Sequence, residues 1–205
     1  MAIDTATVRA WVHGFASEIA EHREELVRLD TAIGDGDHGT NMNRGMVAAV
    51  EKLDGGAEGD IGAVLKTVAM TLISKVGGAS GPLYGTLFLQ MATTAVGKTE
   101  LDIAGWADAL EAGVAGVQKR GRAEPNDKTM LDALLPAVAA LRAASSFDDG
   151  LRAAEDAAHE GMLATTPMEA RKGRASYLGP RSVGHQDPGA TSSFLLMRAA
   201  RSAFA

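Results

Sequence analysis

The chain has 205 residues, 46% of them hydrophobic, which suits a single globular domain expected to span residues 1–205. Its 26 acidic residues outnumber its 20 basic ones, for a net charge of −6, and no run of Lys or Arg makes a basic stripe, so nucleic acid is excluded as a partner class. Cysteine is absent, which rules out disulfides, thiolate zinc sites and thiol nucleophiles.

The N-terminal stretch "MAIDTATVRAWVHGF" lacks the continuous apolar core of a signal peptide, and no segment reaches ~18 uninterrupted apolar residues. The expectation is a cytoplasmic protein without a membrane partner. Ala, Leu and Met are frequent, aromatics make up 4%, and Val and Ile never alternate as in strands, so an all-α fold is expected.

In chain order, helices are predicted at 5–29, 40–53, 61–76, 82–97, 103–121, 127–144, 149–165 and 190–204. In the first, Val8, Trp11, Val12, Phe15, Ile19, Leu26 and Leu29 fall on one side. Asp60, Asp102, Asn126 and Asp148 stand where an N-cap oxygen would take up free amides, and Pro82 suits a first helical position. Pro136 should kink the sixth helix without ending it. The links are mostly short, which favours antiparallel neighbours in an up-and-down arrangement. The first, third, fifth and seventh connections then share one end. The first carries the aspartates of "LDTAIGDGDHGTNMNRG", the third is "VGGASGP", and the long seventh holds "GRASYLGPRSVGHQDPG". By parity alone, the unusual chemistry gathers at one end.

On one continuous helix, Asp30 and Asp37 would share a face but lie about 10 Å apart, with Asp35 turned away. Gly34, Gly36 and Gly39 allow instead a tight loop that folds the three carboxylates toward a point. Carboxylates at ~4 Å repel by roughly 4 kcal/mol per pair at an effective dielectric near 20. A hard divalent cation relieves this, and magnesium, which keeps positions for water and phosphate oxygens, suits the set. A lone D-G-D would more simply be a solvated turn; Asp30 and the adjoining "HGTNMN" argue for the metal. "GDGDHG" matches G-x-G-x-x-G, but no strand precedes it, which disfavours a dinucleotide fold. An EF-hand register from Asp35 puts Thr40 at the glycine position and Met46 at the bidentate glutamate, which excludes that calcium loop.

"GGASGP" before an apolar helix offers successive amides to an oxyanion, with the positive helix end behind them; a plain interhelical turn is the alternative. Arg174 and Arg181 each carry a fork of donors suited to phosphate. His185 is open to three roles: general base, ligand or hydrogen-bonded loop residue. "ATTAVGKT" imitates a P-loop but ends a helix at the opposite end, so Lys98 is read as solvated. His13, His22 and His159 lack ligand spacing and are assigned no chemistry.

Together, "IGDGDHGTNMNRG", "GGASGPLYG", "NDKTMLDAL" and "GRASYLGPRSVGHQDPGATS" resemble the L subunit of dihydroxyacetone kinases over residues 30 to 193. The resemblance implies an eight-helix antiparallel up-and-down barrel with a nucleotide, ADP or ATP, at one end. It implies two magnesium ions held by Asp30, Asp35 and Asp37, with these aspartates and Arg174 as the catalytic residues. It further implies nucleotide contacts from His38, Gly39, Thr40, Asn41, Ala79, Ser80, Gly121, Met130, Arg174, Asp187, Pro188 and Gly189. The implied partners are a K subunit that carries dihydroxyacetone and a phosphohistidine protein of the phosphotransferase system that rephosphorylates ADP in place. Two rivals stand beside this: an ATP-exchanging L subunit of a split triose or tetrose kinase, and a nucleotide-holding partner of a transcription factor.

Overall fold

Helix α1 (Thr5–Glu21) begins where Asp4 adopts an extended conformation and its carboxylate accepts the amide of Thr7 at 2.7 Å. The computed structural model describes residues 2–56 and 59–204. The predicted first helix is broken at His22, and α2 (Arg23–Ile33) resumes beyond it. The break changes which side faces inward. Val8, Trp11, Val12, Phe15, Ile19 and Leu26 are buried as expected, but beyond the break Asp30 and Ile33 are buried while Leu29 is only half-buried. Asp30 therefore sits on the last turn of α2 rather than in the loop.

The remaining helices are α3 (His38–Asp54), α4 (Ile61–Lys75), α5 (Ser80–Thr94), α6 (Ile103–Gly121), α7 (Leu131–Ala143), α8 (Phe147–Ala164) and α9 (Pro188–Phe204). Asp60 and Asp102 cap α4 and α6 as predicted, through the amides of Ala63 and Gly105. Two predicted caps fail. Ser146, rather than Asp148, caps α8, leaving Asp148 in the first turn. Asn126 lies in a left-handed turn, φ 70°, and α7 starts only at Leu131. Pro82 stands within the first turn of α5, where an amide is not needed, and α7 continues through Pro136. Two features went unpredicted. One is a 3₁₀ segment, Arg174–Ser182, inside the seventh connection. The other is a pair of two-residue antiparallel strands, β1 (Ile3–Asp4) and β2 (Glu100–Leu101), which ties the start of the chain to the fourth connection.

Each helix packs on the next in sequence, and α9 returns to pack on α1, closing the ring of an all-α barrel. Its interior holds nearly all the buried apolar side chains. Trp11 and Trp106 meet edge to face at 4.9 Å, Trp106 meets Phe204 at 4.8 Å, and the Trp11 indole donates to the Leu196 carbonyl at 3.1 Å. A small second cluster of Ile33, Ala170 and Ala175 lies under the seventh connection. No helix among the described residues is long and apolar enough to cross a membrane.

At the end remote from the aspartates, the Asp60 carboxylate also accepts the amide of Gly97 at 2.6 Å, joining the second and fourth connections. Asp60→Ala strands both amides and is expected to lower unfolding free energy by about 1–2 kcal/mol. Urea unfolding measures this, and nucleotide binding should be untouched because the change lies at the far end.

Candidate active site

Connections one, three, five and seven meet around a cavity of about 400 Å³ at one end of the barrel, as parity required. Helices α3, α5, α7 and α9 all begin there, so the positive ends of these helices surround the cavity.

The aspartate loop is built by α2 and α3 together. Asp30 Oδ2 accepts the amides of Asp37 at 2.8 Å and His38 at 3.1 Å, doing for α3 what a local cap would do and leaving Oδ1 turned to the loop. A Cβ on Gly34 would overlap that Oδ1, and Gly36 takes φ +74°. Both glycines are required for the carboxylates to converge. One oxygen from each of Asp30, Asp35 and Asp37 lies within 4.8 Å of the others. Their mutual repulsion, roughly 3 kcal/mol per pair at an effective dielectric near 20, fits a donor set for a hard cation. The one basic side chain seen on the trio among the described residues is Arg174, 3.0 Å from Asp35 and 67% exposed. The predicted phosphate fork thus reaches the site from the seventh connection, but rests on an aspartate.

His38 is buried in the wall, with Nδ1 2.8 Å from Ser80 Oγ and Nε2 2.9 Å from Ser192 Oγ. Burial holds it neutral, lowering its pKa from 6.5 to about 4 against the raising influence of Asp37. The chain of contacts continues from Ser192 to the Tyr84 hydroxyl at 2.7 Å, and burial pushes that phenol up to about 12. Ala79, Ser80, Gly121, Met130, Pro188 and Gly189 also line the cavity.

Three predicted contacts do not line it. Gly39 packs against α2, where a Cβ would overlap the Arg23 carbonyl; Asn41 is buried and accepts from Arg44 at 2.7 Å; Thr40 is exposed. Arg181, near the end of the 3₁₀ segment, and His185, three residues beyond it, are exposed outside the cavity, and Lys98 is exposed at the other end. Sequence reasoning missed Arg120 and Lys172, two cavity cations, and also Lys128, which is 1% exposed. Lys128 lies within the quoted "NDKTMLDAL", but nothing local marks it as buried.

Asp187 caps α9 through the amide of Ala190 at 2.7 Å. Burial pushes its carboxyl up to about 7, with Asp132 adding to the rise and the Ala190 amide and Lys128 opposing it. The fold thus favours the protonated acid: the stability this group contributes is complete below the ordinary 3.8 and is lost as pH rises through about 7. Asp187→Asn keeps an acceptor for Ala190 without the charge. Relative to the parent, its unfolding free energy should therefore gain steadily across that window. Identical pH profiles in urea unfolding would refute the burial argument.

Comparison with known proteins agrees with this architecture. The family model described as the DAK2 domain matches residues 32–202. The chain is 45% identical over 202 residues to the PEP-dependent dihydroxyacetone kinase ADP-binding subunit DhaL of Escherichia coli K12, covering 97% of this chain and 96% of that one. It is 43% identical over 196 residues to the PTS-dependent dihydroxyacetone kinase ADP-binding subunit DhaL of Lactococcus lactis, covering 96% of this chain and 95% of that one. Among solved structures, the dihydroxyacetone kinase of C. freundii in complex with AMP-PNP and Mg2+ superposes with a TM-score of 0.73 at 23% identity. That match covers 98% of this chain but 34% of that kinase, so this chain spans about a third of its length and shares the fold of that part. With its helical barrel, its convergent aspartates and these near full-length matches, the chain belongs to the DAK2 domain family, among the ADP-binding L subunits of dihydroxyacetone kinases.

Proposed function

We propose that the protein is the ADP-binding, phosphoryl-transferring subunit of a dihydroxyacetone kinase, acting in the cytoplasm on dihydroxyacetone carried by a separate K subunit. The observation that carries this reading is the convergence of Asp30, Asp35 and Asp37 within 4.8 Å at the end of the barrel where four helices begin. Asp30, Asp35 and Asp37 would hold two magnesium ions. Magnesium bound there supplies positive charge that neutralises the phosphate oxygens during transfer.

The chain's own groups do the positioning. The backbone at Gly78, Ala79 and Ser80, where α5 begins, offers amides to the phosphates, and Arg174 can pass from Asp35 to a phosphate oxygen. Gly121 and Met130 bound the part of the cavity assigned to the nucleoside, and Asp187, Pro188 and Gly189 close the wall from α9. His38 has both ring nitrogens engaged by serines, so it orients the wall rather than attacking phosphorus. Transfer then depends on in-line placement and electrostatics.

The relatives named as PEP- or PTS-dependent share 41–45% identity over nearly the whole chain. Human triokinase/FMN cyclase shares 38% over 185 residues, 31% of its own length. This ordering supports a phosphohistidine protein of the phosphotransferase system, rather than free ATP, as phosphate donor. The test is the nucleotide content of purified, desalted protein, identified by chromatography after denaturation. About one ADP per chain, slow to exchange with added ATP, is the expected result. Rapid replacement by ATP would assign the chain to an exchanging triose or tetrose kinase. Failure to hold nucleotide with magnesium would refute the reading.

A further inference from the structure

Lysine buried to 1% exposure requires a reason, and Lys128 has an unusual one. Its ammonium donates to three backbone carbonyls: Met168 at 3.1 Å, Ser182 at 2.7 Å, and His185. All three belong to the seventh connection. They stand at its two feet, on either side of residues 169–181, the excursion that carries Lys172 and Arg174 to the cavity.

The fifth connection is shaped to deliver this ammonium. Asn126 and Lys128 both take left-handed backbone angles, φ 70° and 62°, which are costly for residues other than glycine. Asp132 overrides that cost by accepting the amides of Asn126 at 2.5 Å and Thr129 at 2.7 Å, while Asp127 accepts the amide of Glu124 at 2.8 Å. Further bonds run beside the ammonium: Arg171 N to the Asp127 carbonyl at 3.0 Å, Ala170 N to Ser182 Oγ at 2.9 Å, and Gly184 N to the Thr166 carbonyl at 2.8 Å. These join the loop's feet, but among the described residues only the ammonium bonds both feet from the fifth connection with a charged donor.

We propose that Lys128 is a positioning residue: it clamps the two feet of the 169–181 excursion and so holds Arg174 and Lys172 over the phosphate end of the cavity. It touches no reacting atom. The part of the proposal that concerns nucleotide rests on the function proposed above; the part that concerns the loop does not.

The test uses Lys128→Ala in the full chain, with two independent readouts. Arg171, Lys172, Arg174 and Arg181 are trypsin sites within the clamped segment. Cleavage there should quicken roughly tenfold or more in nucleotide-free variant, with the helical circular-dichroism signal retained. ADP should leave the variant roughly tenfold faster, and added propylamine, which restores an ammonium to the vacated space, should slow both processes toward the parent. A general loss of structure would not respond to the amine. Should Lys128→Ala not fold, Lys128→Gln, with two donors for three carbonyls, takes its place on the same readouts. In the parent, a slowly exchanging side-chain ammonium correlation assignable to Lys128 is expected by nitrogen NMR.

Parent-like cleavage and ADP release, or no amine response, would overturn the clamp, as would a freely exchanging Lys128 ammonium. If even the parent fails to hold ADP, the proposed function falls, while cleavage and the ammonium signal still decide the clamp.

Discussion

Replacing Asp35 by asparagine is expected to abolish magnesium-dependent ADP retention while leaving the metal-free fold at least as stable as its parent. Asp35 is the cleanest of the three acids to remove. Asp30 also caps α3, and Asp37 stands at the start of that helix, whereas the contact seen for the Asp35 side chain is its ion pair with Arg174. That pair involves a guanidinium 67% exposed, so its loss costs little. Against it stands the relief of repulsion from two carboxylates within 4.8 Å. In an assay reconstituted with the K subunit, turnover should fall by about 10³-fold or more, the scale of losing metal-based charge stabilisation. Thermal unfolding without magnesium should shift upward or not at all. Intact turnover would show that the acids do not hold the catalytic metal.

The second large effect is expected from Gly39→Ala, and it separates two roles for the same residue. A ligand-contact role would weaken nucleotide binding and spare stability. The structure instead puts Gly39 where α3 crosses α2, with an added Cβ overlapping the Arg23 carbonyl and falling 3.0 Å from both Leu26 Cβ and Val27 N. Backbone cannot step aside as a flexible side chain can. Overpacking of this kind costs about 3 kcal/mol at the upper end of the usual range. For a chain of this size the midpoint should drop by about 6–12 °C. Calorimetric unfolding measures it; a midpoint within a degree of the parent would mean that the two helices part easily.

The convergence of the aspartates was legible because glycine spacing and like charges within a few residues leave few alternatives to a metal loop. The common end of the odd connections was legible because short links force antiparallel neighbours. What escaped reading depends on distant partners. The break at His22 has neither Gly nor Pro to announce it, yet it turns Leu29 partly outward and Asp30 inward. Asp30 caps α3 from eight residues away, so α3 starts at His38, two residues before the predicted start at 40. Asn126 has the chemistry of an N-cap, but its amide is captured by Asp132 and its backbone turns left-handed. Nothing in the local sequence marks Lys128 as buried, since the three carbonyls that hold it come from the seventh connection. The 3₁₀ segment that carries Arg174 inward and Arg181 outward has no periodicity strong enough to separate the two.

The measurement that bears most directly on the central claim is calorimetric titration of ADP into nucleotide-stripped protein, with and without magnesium. If Asp30, Asp35 and Asp37 join the nucleotide to the protein through metal, ADP should bind at one site per chain with magnesium and show no measurable binding in chelator. Asp35→Asn should behave as the parent does in chelator. Equal affinity with and without magnesium would contradict the account, since the nucleotide would then be held by the amides and cations of the cavity without the aspartates.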